Sequence, residues 1–150
     1  MSHEIIEPFI RRGAGKPKGK LAKSDFVKVE SLALTRKGIA DLVAISGLSG
    51  LTALSLNDND IVDLKPLAGL TKLELLLLQG NRISNIKPLA GLTQLTQLNL
   101  SRNQVSTLTS LSGLDRLKRL NLINNQITNL RPLAKLKSLE SLMLNFNQVT

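Results

Sequence analysis

Leu51 to Thr71 reads LTALSLNDNDIVDLKPLAGLT, and Leu73 to Thr93 reads LELLLLQGNRISNIKPLAGLT. Shifting Leu51, Leu54, Leu56, Asn59, Ile61, Leu64, Leu67 and Leu70 by 22 residues lands on Leu73, Leu76, Leu78, Asn81, Ile83, Ile86, Leu89 and Leu92. The next steps give Leu95, Leu98, Leu100, Asn103 and Val105, then Leu117, Leu120, Leu122, Asn125 and Ile127, then Leu139, Leu142, Leu144, Asn147 and Val149. Backwards, the frame holds through Val29, Leu32, Leu34 and Ile39, and only Lys37 breaks the Asn column. Five whole units fill 29–138 and twelve residues of a sixth follow, with no insertion between them.

A strict period of this length marks a repeat architecture in which each unit buries its apolar face only by stacking on its neighbours. The unit L-x-x-L-x-L-x-x-N-x-I-x-x-L-x-P-L-x-x-L is identified as a leucine-rich repeat. The L-x-L core alternates with period two, so it predicts a short strand whose leucines point inward. Successive strands then stack in parallel about 4.8 Å apart. The fold class expected is α/β: a solenoid with parallel strands on its concave face and short turns and 3-10 helices on its convex face. Pro66, Pro88 and Pro132 recur at one position, as the first turn of a short convex helix requires. Gly47, Gly69, Gly91 and Gly113 share another, broken by Lys135. The Asn column is expected to bond backbone groups of its own and the next coil.

Residues 1–28 lie outside the frame. Arg11 to Lys23 holds six Lys and Arg and no acid, which suits a disordered basic tail. The helical spacing of Ile5, Ile6, Phe9 and Ile10 favours a folded cap instead, with Pro8 marking a first turn and Ser24 as the N-cap of a second helix. The expected division is a helical N-terminal cap over 1–28 and a repeat array over 29–150. Gly13 to Lys20 is not a phosphate loop: Ala14 stands where the first glycine belongs and Leu21 replaces Ser/Thr. The last leucines have no covering segment in the frame, so further repeats or a C-terminal cap are expected beyond Thr150.

Composition excludes most chemistry. The 150 residues include 33 Leu but no Cys, Trp or Tyr, and His3 is the one histidine. That leaves no thiolate metal site, no His-based zinc site and no Ser-His-Asp triad. Asp58, Asp60 and Asp63 crowd one turn but lack the closing Glu of a calcium loop. No metal, cofactor or catalysis is expected. The net charge of +9 permits anionic partners, yet aromatics for stacking bases are scarce, which argues against nucleic acid. No run of about 18 apolar residues occurs. Met1 to Ile10 lacks the apolar stretch of a secretory leader, so a cytoplasmic location is expected.

The repeat as it stands in Leu51–Thr71 and Leu73–Thr93 resembles the 22-residue repeats of bacterial internalins, and is also similar to those of a eukaryotic regulatory subunit of protein phosphatase 1. Phe9-Ile-Arg-Arg, Gly15-Lys-Pro-Lys-Gly and Lys23-Ser-Asp-Phe-Val-Lys-Val-Glu-Ser-Leu resemble the helical cap preceding many bacterial arrays of this kind. The resemblance implies a right-handed solenoid whose concave face binds another protein. The repeat register assigns that face to the outward strand columns. Their candidate partner-binding residues are Leu75, Leu77, Gln97, Asn99, Arg102, Arg119, Asn121, Ile123 and Met143. Leu75 and Leu77 are leucines at positions expected to face water, and such apolar groups mark interfaces. The alternatives are a basic-surface binder of nucleic acid or anionic membrane, and the recognition domain of a longer enzyme.

Overall fold

The computed structural model describes residues 2–150. Two helices, α1 (Ser2–Gly13) and α2 (Lys23–Phe26), precede six three-residue strands: β1 (Ser31–Ala33), β2 (Ala53–Ser55), β3 (Leu75–Leu77), β4 (Gln97–Asn99), β5 (Arg119–Asn121) and β6 (Ser141–Met143). The strands form one parallel sheet in sequence order. Leu54 pairs with Leu76, Leu76 with Leu98 and Leu98 with Leu120, each partner 22 residues on. The period counted in the sequence is therefore the strand register. Leu54, Leu56, Leu76, Leu78, Leu98 and Leu100 are at most 2% exposed and belong to one continuous core.

Between strands the chain returns through 3-10 turns. Lys65–Leu67, Lys87–Gly91 and Arg131–Lys135 carry their proline in the first turn. Val43–Ile45 and Thr109–Leu111 occupy the same register without one. The residue two before each basic-proline start anchors it. Asp63, Asn85 and Asn129 accept the N–H of Lys65, Lys87 and Arg131 at 2.9, 3.0 and 2.9 Å. Asp63 is thus a cap, whereas Asp60 pairs with Arg82 at 2.7 Å.

The Asn column bonds backward, not forward as expected. The Asn81 amide donates to the carbonyl of Leu78 in its own coil at 2.9 Å and to that of Leu56 in the preceding coil at 3.0 Å. Its oxygen accepts the Ile61 N–H of the preceding coil at 3.0 Å. Asn59, Asn103 and Asn125 repeat this pattern.

α1 seats Ile6 and Ile10, 0% and 3% exposed, in the same core as Leu32 and packs against β1 and the Val43–Ile45 turn. Pro8 lies inside this helix and not at its first turn. It removes one backbone donor, but it and Glu4, whose carbonyl that donor would reach, are both exposed. Water can serve that carbonyl while burial of Ile6 and Ile10 holds the helix together.

Ser24 is not the N-cap of α2; Ala22 precedes the helix and Asp25 does the capping. The Asp25 carboxylate, only 6% exposed as a residue, accepts the Ala22 N–H and the Lys16 ammonium, both at 2.8 Å. The Lys16 bond first, and then the Ala22 N–H, hold its pKa below the ordinary 3.8 against the opposing effect of burial. A depressed folded pKa contributes stability above the ordinary carboxylate range, lost as pH falls through the folded value. Asp25→Asn should therefore melt below wild type at neutral pH, and the gap should close in acid. Thermal melts across pH check this; a gap independent of pH would mean the charge is not used.

Gly50 explains how this segment meets the array. A β-carbon there would sit 2.0 Å from the Val27 carbonyl oxygen. Only glycine lets the stretch after α2 pass so close to the first convex loop.

Candidate functional site

The middle strands present outward side chains in two ladders. One runs Ala53, Leu75, Gln97, Arg119, Ser141, and the other Ser55, Leu77, Asn99, Asn121, Met143. Between β3 and β6 the sheet holds a shallow hollow of about 170 Å³. Its lining brings together Leu77, Gln97, Asn99, Arg119, Asn121 and Met143 from the sequence-derived set. Leu75, Arg102 and Ile123 lie outside it.

Leu75 and Leu77 are half-buried, less open to water than their columns implied. Each packs between neighbours on adjoining strands about 4.8 Å away, which covers the sides of the chain and leaves its tip. Ile123 is also half-buried, and its N–H is taken by the Asn121 oxygen at 3.0 Å. Met143 and Phe146 are 46% and 81% exposed.

Arg102 belongs to another structure. Its column, Arg36, Asp58, Gly80, Arg102, Asn124 and Phe146, has positive φ throughout, between 53° and 66°. It is a row of left-handed turns and not a strand position. Gly, Asp and Asn, the residues most at ease there, occupy half of it, and that composition was the readable sign. Gly80 leaves a gap across which the Arg102 guanidinium stands 4.0 Å from Asp58, while Arg36 stands 3.5 Å from the same carboxylate.

The polar groups of the hollow divide into committed and uncommitted. The Asn99 oxygen accepts both the N–H and the hydroxyl of Ser101, at 2.9 and 2.7 Å, and its amide reaches Gln79 at 3.4 Å. Asn121 commits its oxygen alone. Among the described residues, the Gln97 amide and the Arg119 guanidinium have no protein partner, and the neighbouring Lys118 is paired with Glu140 at 3.5 Å. The site therefore offers hydrogen-bond donors flanked by apolar side chains.

A larger groove of about 710 Å³ lies beside α1, lined by Glu4, Glu7, Pro8 and Arg11. Its Glu7 is bonded to Arg11 at 2.8 Å, so those charges satisfy each other. Among the described residues no cluster of metal-ligating side chains occurs, and no helix is long and apolar enough to cross a membrane.

The family model described as leucine-rich repeats (2 copies) matches residues 71–113 and 115–150, more than half of the chain. The structure is similar to that of internalin C2 from Listeria monocytogenes, with a TM-score of 0.93 and 35% identity over 97% of this chain and 66% of that one. An internalin F of the same organism gives a TM-score of 0.89 and 26% identity over 99% of this chain and 46% of that one. A plant peptide hormone receptor, RGFR1 in complex with RGF2, gives 0.63 and 30% over 69% of this chain and 18% of that one. The chain thus spans just under two thirds of the first of these structures and less than half of the second. No curated protein matches it significantly.

Proposed function

The chain belongs to the leucine-rich repeat family, with repeats of the internalin type, and from that premise we propose that it is a protein-recognition scaffold holding a partner protein on its concave sheet face, with no catalysis of its own. Domains of this fold are typically protein–protein interaction modules. The observation that carries the reading is the hollow between β3 and β6, where Leu77 and Met143 border donors the chain itself does not use. Apolar anchors beside uncommitted donors are the composition of an interface hot spot. The plant peptide hormone receptor RGFR1, of similar fold, is itself in complex with RGF2. The helices over 1–28 act, in this proposal, as a cap that shields the first coil, and the array over 29–150 does the binding.

The second reading rests on charge. Arg12, Lys18, Lys20 and Lys23 are exposed on the α1–α2 segment and would draw an anionic surface or nucleic acid. Salt separates the two, because phosphate contacts weaken steeply with ionic strength. Capture from lysate by wild type and by a Leu75→Asp, Leu77→Asp double variant, at low and moderate salt, is the test. The scaffold reading expects one protein held through moderate salt and lost by about tenfold or more in the variant, the effect of one lost anchor. Equal capture by both chains, vanishing with salt, would move the function to the basic surface.

A further inference from the structure

Several charges at the sheet face have partners of opposite sign, and Arg119 does not. Asp58 sits between Arg36 and Arg102 at 3.5 and 4.0 Å, and Lys118 is answered by Glu140 at 3.5 Å. Arg119 is left with no carboxylate within ion-pair distance among the described residues, although it lies on the wall of the hollow beside Gln97 and Asn121. The Asn121 oxygen is engaged by the Ile123 N–H, so what this residue turns to solvent is an N–H donor. The hollow thus combines a guanidinium, an uncommitted amide donor and a Gln97 amide free to donate, with no acceptor-only group on its lining. Leu77 and Met143 close opposite sides.

Resting on the concave-face reading above, we propose that this hollow is the pocket for an acidic side chain of the partner, Asp or Glu, with an apolar residue beside it. A carboxylate can take two parallel N–H bonds from a guanidinium and has lone pairs left for amide donors. A lysine or arginine of the partner would meet Arg119 as a like charge. An apolar group alone would leave the guanidinium desolvated and unpaired, which costs more than its burial returns. The partner residue next to the acid then packs on Leu77 or Met143, which excludes water from the ion pair.

The probe is a random-sequence peptide library displayed on phage, selected against the full chain. Enriched peptides are then synthesised and titrated by fluorescence anisotropy against wild type, Arg119→Gln, Arg119→Lys, Arg119→Glu and Leu77→Asp. Arg119 is exposed and its side chain makes no bond to the described residues, so its variants keep the fold. The expected result is enrichment of Asp or Glu beside an apolar residue. Affinity should fall about tenfold or more in Arg119→Gln, return in part with Arg119→Lys and fall furthest in Arg119→Glu. Peptides that share no acid, or bind Arg119→Gln as well as wild type, yet lose affinity for Leu77→Asp, would overturn the acidic pocket and leave the concave-face reading standing. Peptides indifferent to every one of these variants would overturn both.

Discussion

Leu98→Ala is expected to lower the unfolding free energy by about 2–5 kcal/mol, the range for deleting a buried leucine side chain and leaving its cavity. Leu98 is 2% exposed, pairs in register with Leu76 and Leu120, and sits in the middle of the sheet with a full coil packed on each side. Collapse around the cavity would have to displace both neighbours, and stacked coils are close-packed. Leu142 supplies the internal control. It holds the same register position on β6 but is 38% exposed, because only β5 covers it. Leu142→Ala should cost less than about half as much, since part of its surface is already hydrated. Urea titration of the two variants checks this; equal losses, or a loss under about 0.5 kcal/mol for Leu98→Ala, would contradict the packing described.

Asn81→Ala should cost about 2–4 kcal/mol, comparable to the loss of a buried leucine side chain, because it strands buried polar groups. Asn81 is 8% exposed. Its oxygen is the acceptor for the Ile61 N–H, which alanine would leave without a partner. The Leu56 and Leu78 carbonyls would each lose one of two amide donors, retaining Asn59 and Asn103 respectively. Asn81→Asp makes the sharper comparison. It keeps the acceptor for Ile61 but turns the bonds donated to Leu56, Leu78 and Gln79 into contacts between oxygens, so it should be at least as damaging as alanine. Chemical denaturation of both variants would show it; an aspartate variant near wild-type stability would mean the carbonyl bonds carry no weight.

The part of this fold legible in the sequence is the part set by period. Strand register, inward leucines and proline at the convex turns depend on positions within one unit, and each follows from a column of like residues. What a column cannot show is which way a side chain reaches between units. The direction of the Asn bonds and the Asp58–Arg102 approach, 44 residues apart across Gly80, needed the stacked coils themselves. The concave-face assignment also ran one turn too far: it counted Arg102 with the outward strand residues where the chain is already left-handed. At the N-terminal end, Pro8 and Asp25 escaped local rules because buried packing and the Lys16 bond outweigh helix preference there. For the hollow, the sequence named Leu77, Gln97, Asn99, Arg119, Asn121 and Met143 but not Leu98, Leu120 or Ser141, and it did not tell that Asn99 is internally bonded while Arg119 is unanswered.

The backward reach of the asparagines gives the array a direction in time. The Ile61 N–H has to wait for Asn81, and the Ile83 N–H for Asn103. During synthesis, which delivers the N-terminal coils first, each coil can stack as soon as its leucines emerge. Its backbone is sealed only when the next coil brings its Asn out. Assembly on the ribosome would then trail the growing chain by one coil of 22 residues, with α1 as the foundation on which the first is laid.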